Sequence, residues 1–368
     1  MNATLKAALL MNAAQAPADA FLKLCEGELE RLYWGEAFWK ELGVPPAAQT
    51  KLARLLAERD WPERELERVE RAGARFVCIH DGDYPPQLKD LDRPPLGLYV
   101  RGKMDCLSLS RSVAVVGTRK CDFYGQSQAE ELGRKLAQAG FTVVSGGARG
   151  IDAAGHRGCL AGGGVTAVVF GTGIDKVYPV EHRDLFERIA HAGVLISEYP
   201  MGSSGEPWRF PERNRVIVGL SERTVVVESP EDGGAMITAR LALDIGREVW
   251  AVPGRITDVV CEGTNLLIRD GALVLNRIDD FVEHISGYGQ LTLKLDVAST
   301  APAAPPPNLS TDEKIVLELL NRQGNRTMDS LLSESRLNFA ALQTCLMSLL
   351  AKGLASENAG RWSEGSLS

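Results

Sequence analysis

Two glycine-rich turns hold the residues best suited to grip an anion. The first is Val115-Val116-Gly117-Thr118-Arg119. The second is Ser145-Gly146-Gly147-Ala148-Arg149-Gly150-Ile151-Asp152. Glycine lets the backbone approach an anion closely, Thr118 adds a hydroxyl and an amide, and Arg119 adds a two-pronged guanidinium. The second turn leads into a helix, whose first N–H groups are unpaired and lie at the positive end of the dipole. One such turn serves a tight βα connection as readily as a ligand. Two of them on successive strands, each with an arginine close behind, favour an anion site. A third candidate is Trp208-Arg209-Phe210-Pro211-Glu212-Arg213-Asn214-Arg215, with three arginines and two aromatics in eight residues. Arginines suit phosphates, and aromatic faces suit stacked bases. Taken alone, the same run reads as a helix start with solvated arginines and a buried Phe210.

Other constellations carry less. Glu228-Ser229-Pro230-Glu231-Asp232-Gly233-Gly234, with Thr238 beyond it, forms another strand, glycine turn and helix start. Glu228 could act as a general base there, although a strand-end glutamate is more often structural. Asp152 and His156 share a helix face at i, i+4, which suits an acid–base pair or a hydrogen bond that fixes the glycine turn. No G-x-x-x-x-G-K-[ST] is present, so a P-loop is not supported. Gly171-Thr172-Gly173 begins a G-x-G, but Lys176 stands where the third glycine of a dinucleotide site belongs. The histidines at 80, 156, 182, 191 and 284 lack metal spacing, and there is no G-x-S-x-G elbow. The expectation is no catalytic set, no metal and no cofactor.

The elements that must carry these turns follow from hydrophobic patterning. Ser112–Gly117, Phe141–Gly146, Val165–Gly171, Val194–Ser197, Thr224–Glu228 and Glu248–Val252 are short apolar, mostly β-branched runs. Continuous rather than alternating hydrophobicity predicts strands buried on both faces of a parallel sheet. Helical stretches such as Gly125–Ala139 and Gly234–Ile245 lie between them, so the class is α/β, doubly wound. Ligands in such sheets bind beyond the carboxyl ends of the strands. Residues 1–75 read as a small helical domain interrupted at Gly43-Val44-Pro45-Pro46. Residues 76–287 form the α/β domain. Residues 288–308 hold the proline-rich STAPAAPPPN and read as a linker. In 309–368, Thr311–Asn321, Thr327–Ser335 and Asn338–Lys352 predict three helices. A hairpin around Asn358-Ala359-Gly360 completes a winged-helix pattern.

The chain has 368 residues, 45% hydrophobic and 24% charged, with a net charge of −7. These values fit folded protein and exclude a uniformly basic nucleic-acid coat. An acidic total does not exclude nucleic acid, because binding needs only a local basic patch. No apolar run reaches the ~18 residues that span a bilayer. Ala7–Ala16 makes a poor secretory leader, and seven cysteines scattered singly fit a reducing cytoplasm.

Three strings carry a more specific signal: SGGARGIDAAGHRGCL (145–160), FPERNRVIVGLS (210–221) and GREVWAVPG (246–254). They appear in order with Tyr84-Pro85, Gly117-Thr118-Arg119, Tyr178-Pro179, Ser197-Glu198-Tyr199-Pro200 and Gly263-Thr264-Asn265. Together they resemble the DNA-processing protein A (DprA/Smf) family across about 84–275. The resemblance implies an extended Rossmann-like domain, flanked by a sterile-alpha-motif-like N-terminus and a winged-helix C-terminus. It implies a homodimer that binds single-stranded DNA in natural transformation, shields it and loads the RecA recombinase, without catalysis. It places the DNA contacts at Gly117, Thr118, Arg119, Ser145, Gly146, Arg149, Gly150, Phe210, Arg213, Asn214 and Arg215. Gly234-Ala235-Met236 and Gly155 depart from the family's usual Gly-Ser-Leu run and Ala by small-residue changes only. An alternative is a nucleotide phosphoribohydrolase-like enzyme with a related core, but Arg240 and Leu241 stand where its glutamate pair belongs. The winged-helix segment is near neutral, and its expected recognition helix carries one charge, Lys352. A major-groove helix normally presents basic or amide groups, so a protein-binding or regulatory role is expected.

Overall fold

The structure is a computed structural model that describes residues 2–26, 29–287, 309–322, 326–335, 337–352, 354–358 and 361–364. The expected linker at 288–308 and the turn at Ala359-Gly360 lie outside the described residues. The chain forms two compact units, residues 1–291 and 292–368.

The first unit is built on one nine-stranded sheet. Its strands are β1 (Arg75–Cys78), β2 (Gly97–Gly102), β3 (Ser112–Val116), β4 (Thr142–Ser145), β5 (Thr166–Phe170), β6 (Val194–Ser197), β7 (Arg223–Val226), β8 (Glu248–Ala251) and β9 (Leu273–Val274). The spatial order is β1-β2-β6-β5-β4-β3-β7-β8-β9. Strands β3 to β9 run parallel, while β1 and β2 add an antiparallel edge. The six apolar runs of the sequence are six of these strands, and β3, β4 and β5 are buried at every position.

Five helices precede the sheet: α1 (Ala3–Ala14), α2 (Ala18–Glu26), α3 (Glu36–Glu41), α4 (Pro46–Ala57) and α5 (Trp61–Arg71). Seven more follow strands of the sheet: α6 (Phe123–Gln138), α7 (Ile151–Ala161), α8 (Arg183–Ala192), α9 (Arg209–Gly219), α10 (Gly234–Asp244), α11 (Val259–Arg269) and α12 (Ile278–Ser286). Alternate residues of β3 serve opposite faces, as the two-residue period of a strand requires. Ala114 and Val116 join a core with α9, α10 and the N-terminal helices, while Val113 and Val115 join one with α6, α7 and α12. The segment expected as a separate helical domain at 1–75 therefore shares a core with the sheet. Polar contacts reinforce this join. Asn12 Nδ2 donates to the Glu198 carbonyl at 3.0 Å, and buried Glu65 accepts from the Met201 amide at 2.7 Å.

Strand order reverses at β3, which pairs with β4 on one side and β7 on the other. The turns after β3, β4 and β5 open on the same end of the sheet, where ligands of doubly wound folds bind.

The second unit contains α13 (Thr311–Arg322), β10 (Arg326–Thr327), α14 (Met328–Ser335), α15 (Phe339–Ala351), β11 (Ala355–Asn358) and β12 (Arg361–Glu364). Its antiparallel sheet has the order β10-β12-β11, and Val316, Leu320, Leu331, Leu342, Leu346, Leu349 and Trp362 form its core. Ser310 and Glu313 cap α13 reciprocally, Ser310 N donating to Glu313 at 2.7 Å and Glu313 N to Ser310 Oγ at 3.2 Å. The three helices and the strand pair match expectation. The short β10 has no apolar pattern to announce it.

Candidate nucleic-acid interface

The turn after β3 is pinned from both sides. The Thr118 amide donates to the Glu228 carbonyl at 2.7 Å, and Thr118 Oγ1 accepts from the Lys120 amide at 3.2 Å. Pinning this loop leaves Arg119 exposed at its tip. Its guanidinium stacks on the ring of Phe210, with Cζ 5.2 Å from the centroid. Such a contact holds a long side chain over the ring while its remaining N–H groups stay open to solvent. Phe210, one residue into α9, is half-buried against Gly171 and Gly205. Tyr178 lies beside it, with centroids 5.5 Å apart at 38°.

The turn after β4 is built by Asp152. Its buried carboxylate accepts from the Gly146 amide at 3.1 Å and the Ala148 amide at 3.3 Å. Burial pushes this carboxyl up, and Arg213 opposes that push. Gly150, at φ +73°, then turns the chain into α7 and packs on the Thr118 carbonyl, so the two glycine turns touch. Arg149 projects outward and is ion-paired with exposed Glu181. Arg119, Gly146, Ala148, Arg149, Tyr178, Pro179, Phe210 and Arg213 together line a shallow open cleft.

Several expected contacts face inward. Ser145 is fully buried, and its hydroxyl donates to the Val115 carbonyl at 2.6 Å, tying β4 to β3. Arg213 is only 6% exposed. Its Nη1 donates to the carbonyls of Gly146, at 2.9 Å, and Val169. Burial lowers its ionisation to about 10 despite the neighbouring Asp152. A Cβ on Gly146 would sit 2.5 Å from the Arg213 guanidinium, so that glycine is required for the clasp. Asn214 Oδ1 accepts from Arg213 Nε at 3.2 Å, which completes the support. Arg215 leaves the cleft altogether. It grips Glu198 through two contacts of 2.6 and 2.7 Å and lines a separate cavity with Asn12, Asp92 and Glu212. Gly117 packs under Ile151 and the Glu228 carbonyl.

The suggested acid–base pair does not form. Asp152 does fix the glycine turn, but buried His156 bonds Thr166 Oγ1 at 2.7 Å, and burial lowers it to about 3. Glu228 is buried at the end of β7, where it accepts from the Asp122 amide at 3.3 Å. Burial, with Asp122 beside it, raises its carboxyl to about 7. Among the described residues no cluster of His, Cys, Asp or Glu could hold a metal ion, and no helix is long and apolar enough to cross a membrane.

Tyr178 lines the cleft and Glu181 pairs with Arg149, although neither is expected as a DNA contact from the sequence. Tyr178 belongs to the Tyr178-Pro179 motif, and Glu181 follows it closely in a segment remote in sequence from the glycine turns.

The family model for DNA recombination-mediator protein A matches residues 75–286. Protein Smf of Synechocystis sp. is 40% identical over 217 residues, spanning 58% of this chain and 54%, about half, of that protein. The DNA processing protein DprA of Bacillus subtilis is 36% identical over 241 residues, 64% of this chain and 81% of that one. Among solved structures, DprA of Streptococcus pneumoniae has a TM-score of 0.64 at 27% identity, covering 74% of this chain and 95% of its own. DprA of Helicobacter pylori, described for its single-stranded DNA binding mode, has a TM-score of 0.54 at 27% identity, covering 58% and 97%. With more than half of its length matched to the family model, the chain belongs to the DNA recombination-mediator protein A (DprA/Smf) family.

Proposed function

We propose that the chain binds single-stranded DNA in the Arg119–Phe210 cleft and acts as a recombination mediator in natural transformation. In this reading it shields incoming strands and passes them to RecA as a cytoplasmic homodimer, with no catalytic step. The observation that carries the proposal is the stack of Arg119 on Phe210 beside Tyr178 and Arg149. It offers aromatic faces for bases and guanidinium groups for phosphates within one cleft. That combination suits single strands, because a stacked duplex hides its base faces. The single-stranded DNA binding described for the Helicobacter pylori relative supports it. Thr118, Gly146 and Gly150 shape the backbone of the cleft, while Ser145, Arg213 and Asn214 hold that backbone from behind. Arg215 belongs to the join with the N-terminal helices. The buried Glu228 lends no support to a hydrolase.

The winged-helix-like second unit is assigned a protein-binding or regulatory role. Its one cation on the 338–352 segment, Lys352, donates to Glu313 at 2.6 Å, which neutralises it internally. Phe339 and Met347 are exposed on α15.

The test is a titration of labelled single-stranded and duplex oligonucleotides at several salt concentrations. Single strands are expected to bind more tightly, with log K falling by about 0.7 per neutralised phosphate for each tenfold rise in salt. Arg119→Ala should weaken all single-strand sequences alike. Equal or tighter duplex binding overturns the reading.

A further inference from the structure

Beyond the cleft, the start of α9 carries a second aromatic platform. Trp208 precedes Phe210 by two residues. At 3.6 residues per turn, the two rings leave the helix start on different sides. The Trp208 indole is 49% exposed, yet it is held in a defined orientation. It meets buried Tyr199 edge to face, with centroids 6.5 Å apart at 88°. The Arg209 guanidinium lies against both rings, 4.9 Å from Tyr199 and 5.2 Å from Trp208. Arg209 is itself anchored, Nη1 donating to the Ser204 carbonyl at 2.7 Å. Its Nε is buried with no hydrogen-bond partner among the described residues.

The loop that anchors Arg209 also forms one wall of the Phe210 ring. A Cβ on Gly205 would lie 3.1 Å from that ring. The two platforms are therefore the two sides of one short loop. Lys51, on the N-terminal α4, is a further cation here; burial lowers its ionisation, Arg209 adds to that push and Glu212 opposes it, and its hydrogen-bond partner is the uncharged side chain of Gln15. Two carboxylates border the platform and are already engaged. Glu206 accepts from Ser204 Oγ at 2.8 Å, and Glu212 pairs with Arg93 at 3.6 Å and accepts from the Tyr199 hydroxyl at 3.4 Å.

We propose that Trp208 is a second base-stacking site, reached by a single strand that leaves the Arg119–Phe210 cleft across the 203–206 loop toward Lys51. This inference rests on the proposed cleft function and extends its footprint. A preset indole backed by a guanidinium offers a face to any base, so the added contact is indifferent to sequence. The bordering carboxylates disfavour a phosphate on the Glu212 side, so the contact is made through the base. Cationic help comes from Arg209 and Lys51.

Full-length protein and oligothymidylates of two lengths test it, about 4 nucleotides to fill the cleft and about 12 to reach past the loop. Trp208→Ala should leave the short strand's affinity unchanged and weaken the long strand by roughly 5- to 150-fold. Trp208→Phe should retain most of the long-strand affinity. It should also abolish the part of the tryptophan fluorescence quenching that only the long strand produces. Unchanged long-strand binding by Trp208→Ala overturns the proposal, as does undiminished quenching in Trp208→Phe. If Arg119→Ala loses both lengths in that case, the cleft stands and only the extension falls. Normal binding of both lengths by Arg119→Ala removes the cleft itself.

Discussion

Replacing Arg213 should unfold the protein before it weakens a DNA contact. Arg213→Met keeps much of the side-chain volume and removes the charge. The carbonyls of Gly146 and Val169 then lose a charged donor, and buried Asp152 loses its compensating neighbour. A hydrogen bond to a charged group contributes about 1.5–3 kcal/mol, and removing one partner of a buried charge pair costs about 3–5 kcal/mol. The second figure already contains much of the first, so the expected loss is about 3–5 kcal/mol. Domains are typically stable by only about 5–15 kcal/mol. With a urea slope of about 3 kcal/mol per molar, the midpoint of the first unit should fall by roughly 1–2 M. Arg119→Ala removes only an exposed cation–π contact, worth about 0.5–1 kcal/mol, and should barely shift the midpoint. The order should invert for DNA. Under conditions where both variants are folded, Arg119→Ala should be the weaker binder. An unchanged urea midpoint for Arg213→Met, with single-strand affinity as poor as that of Arg119→Ala, would refute the clasp and return Arg213 to the phosphates.

Three further outcomes follow from the geometry. Glu181→Gln should free Arg149 from its ion pair, raise single-strand affinity at low salt and steepen the salt slope by up to about 0.7; lower affinity would show that Glu181 orients Arg149 for binding. Glu228 binds its proton more tightly folded, at about 7, than at its ordinary 4.5, so the unfolded chain releases that proton first as pH rises. Its contribution therefore favours folding below about pH 4.5 and is lost progressively up to about 7; Glu228→Gln should flatten urea midpoints across that window, and an unchanged pH slope would contradict the assignment. Removing residues 309–368 should leave single-strand affinity of the remaining chain intact, whereas loss of duplex affinity on truncation would make the second unit a DNA reader.

The sheet was legible because its central strands are buried on both faces, which leaves unbroken apolar runs in the chain. Edges leave weaker marks. Strand β9 is two exposed residues, Leu273 and Val274, and β1 begins on exposed Arg75. The turns of the site were also legible, since glycine followed by arginine at a strand end has few uses. What the string could not reveal is the direction of each arginine. Arg209, Arg213 and Arg215 lie within seven residues, yet the helix sends them to an aromatic platform, a backbone clasp and an ion pair with Glu198. Ser145 looks like a phosphate donor until its hydroxyl is found bonded to Val115. The acidic total misleads for the same reason: net charge counts paired groups such as Arg215 and Glu198 equally with exposed Arg119.

The clasp between Arg213 and the tips of β4 and β5 also decides which partner deforms. Phe210 sits less than one helical turn before Arg213, so the helix backbone that carries its ring is tied to the tips of β4 and β5. The surface beneath a bound strand thus behaves as a die rather than a glove. A single strand bound there as proposed would adapt to a surface that this clasp already holds in shape.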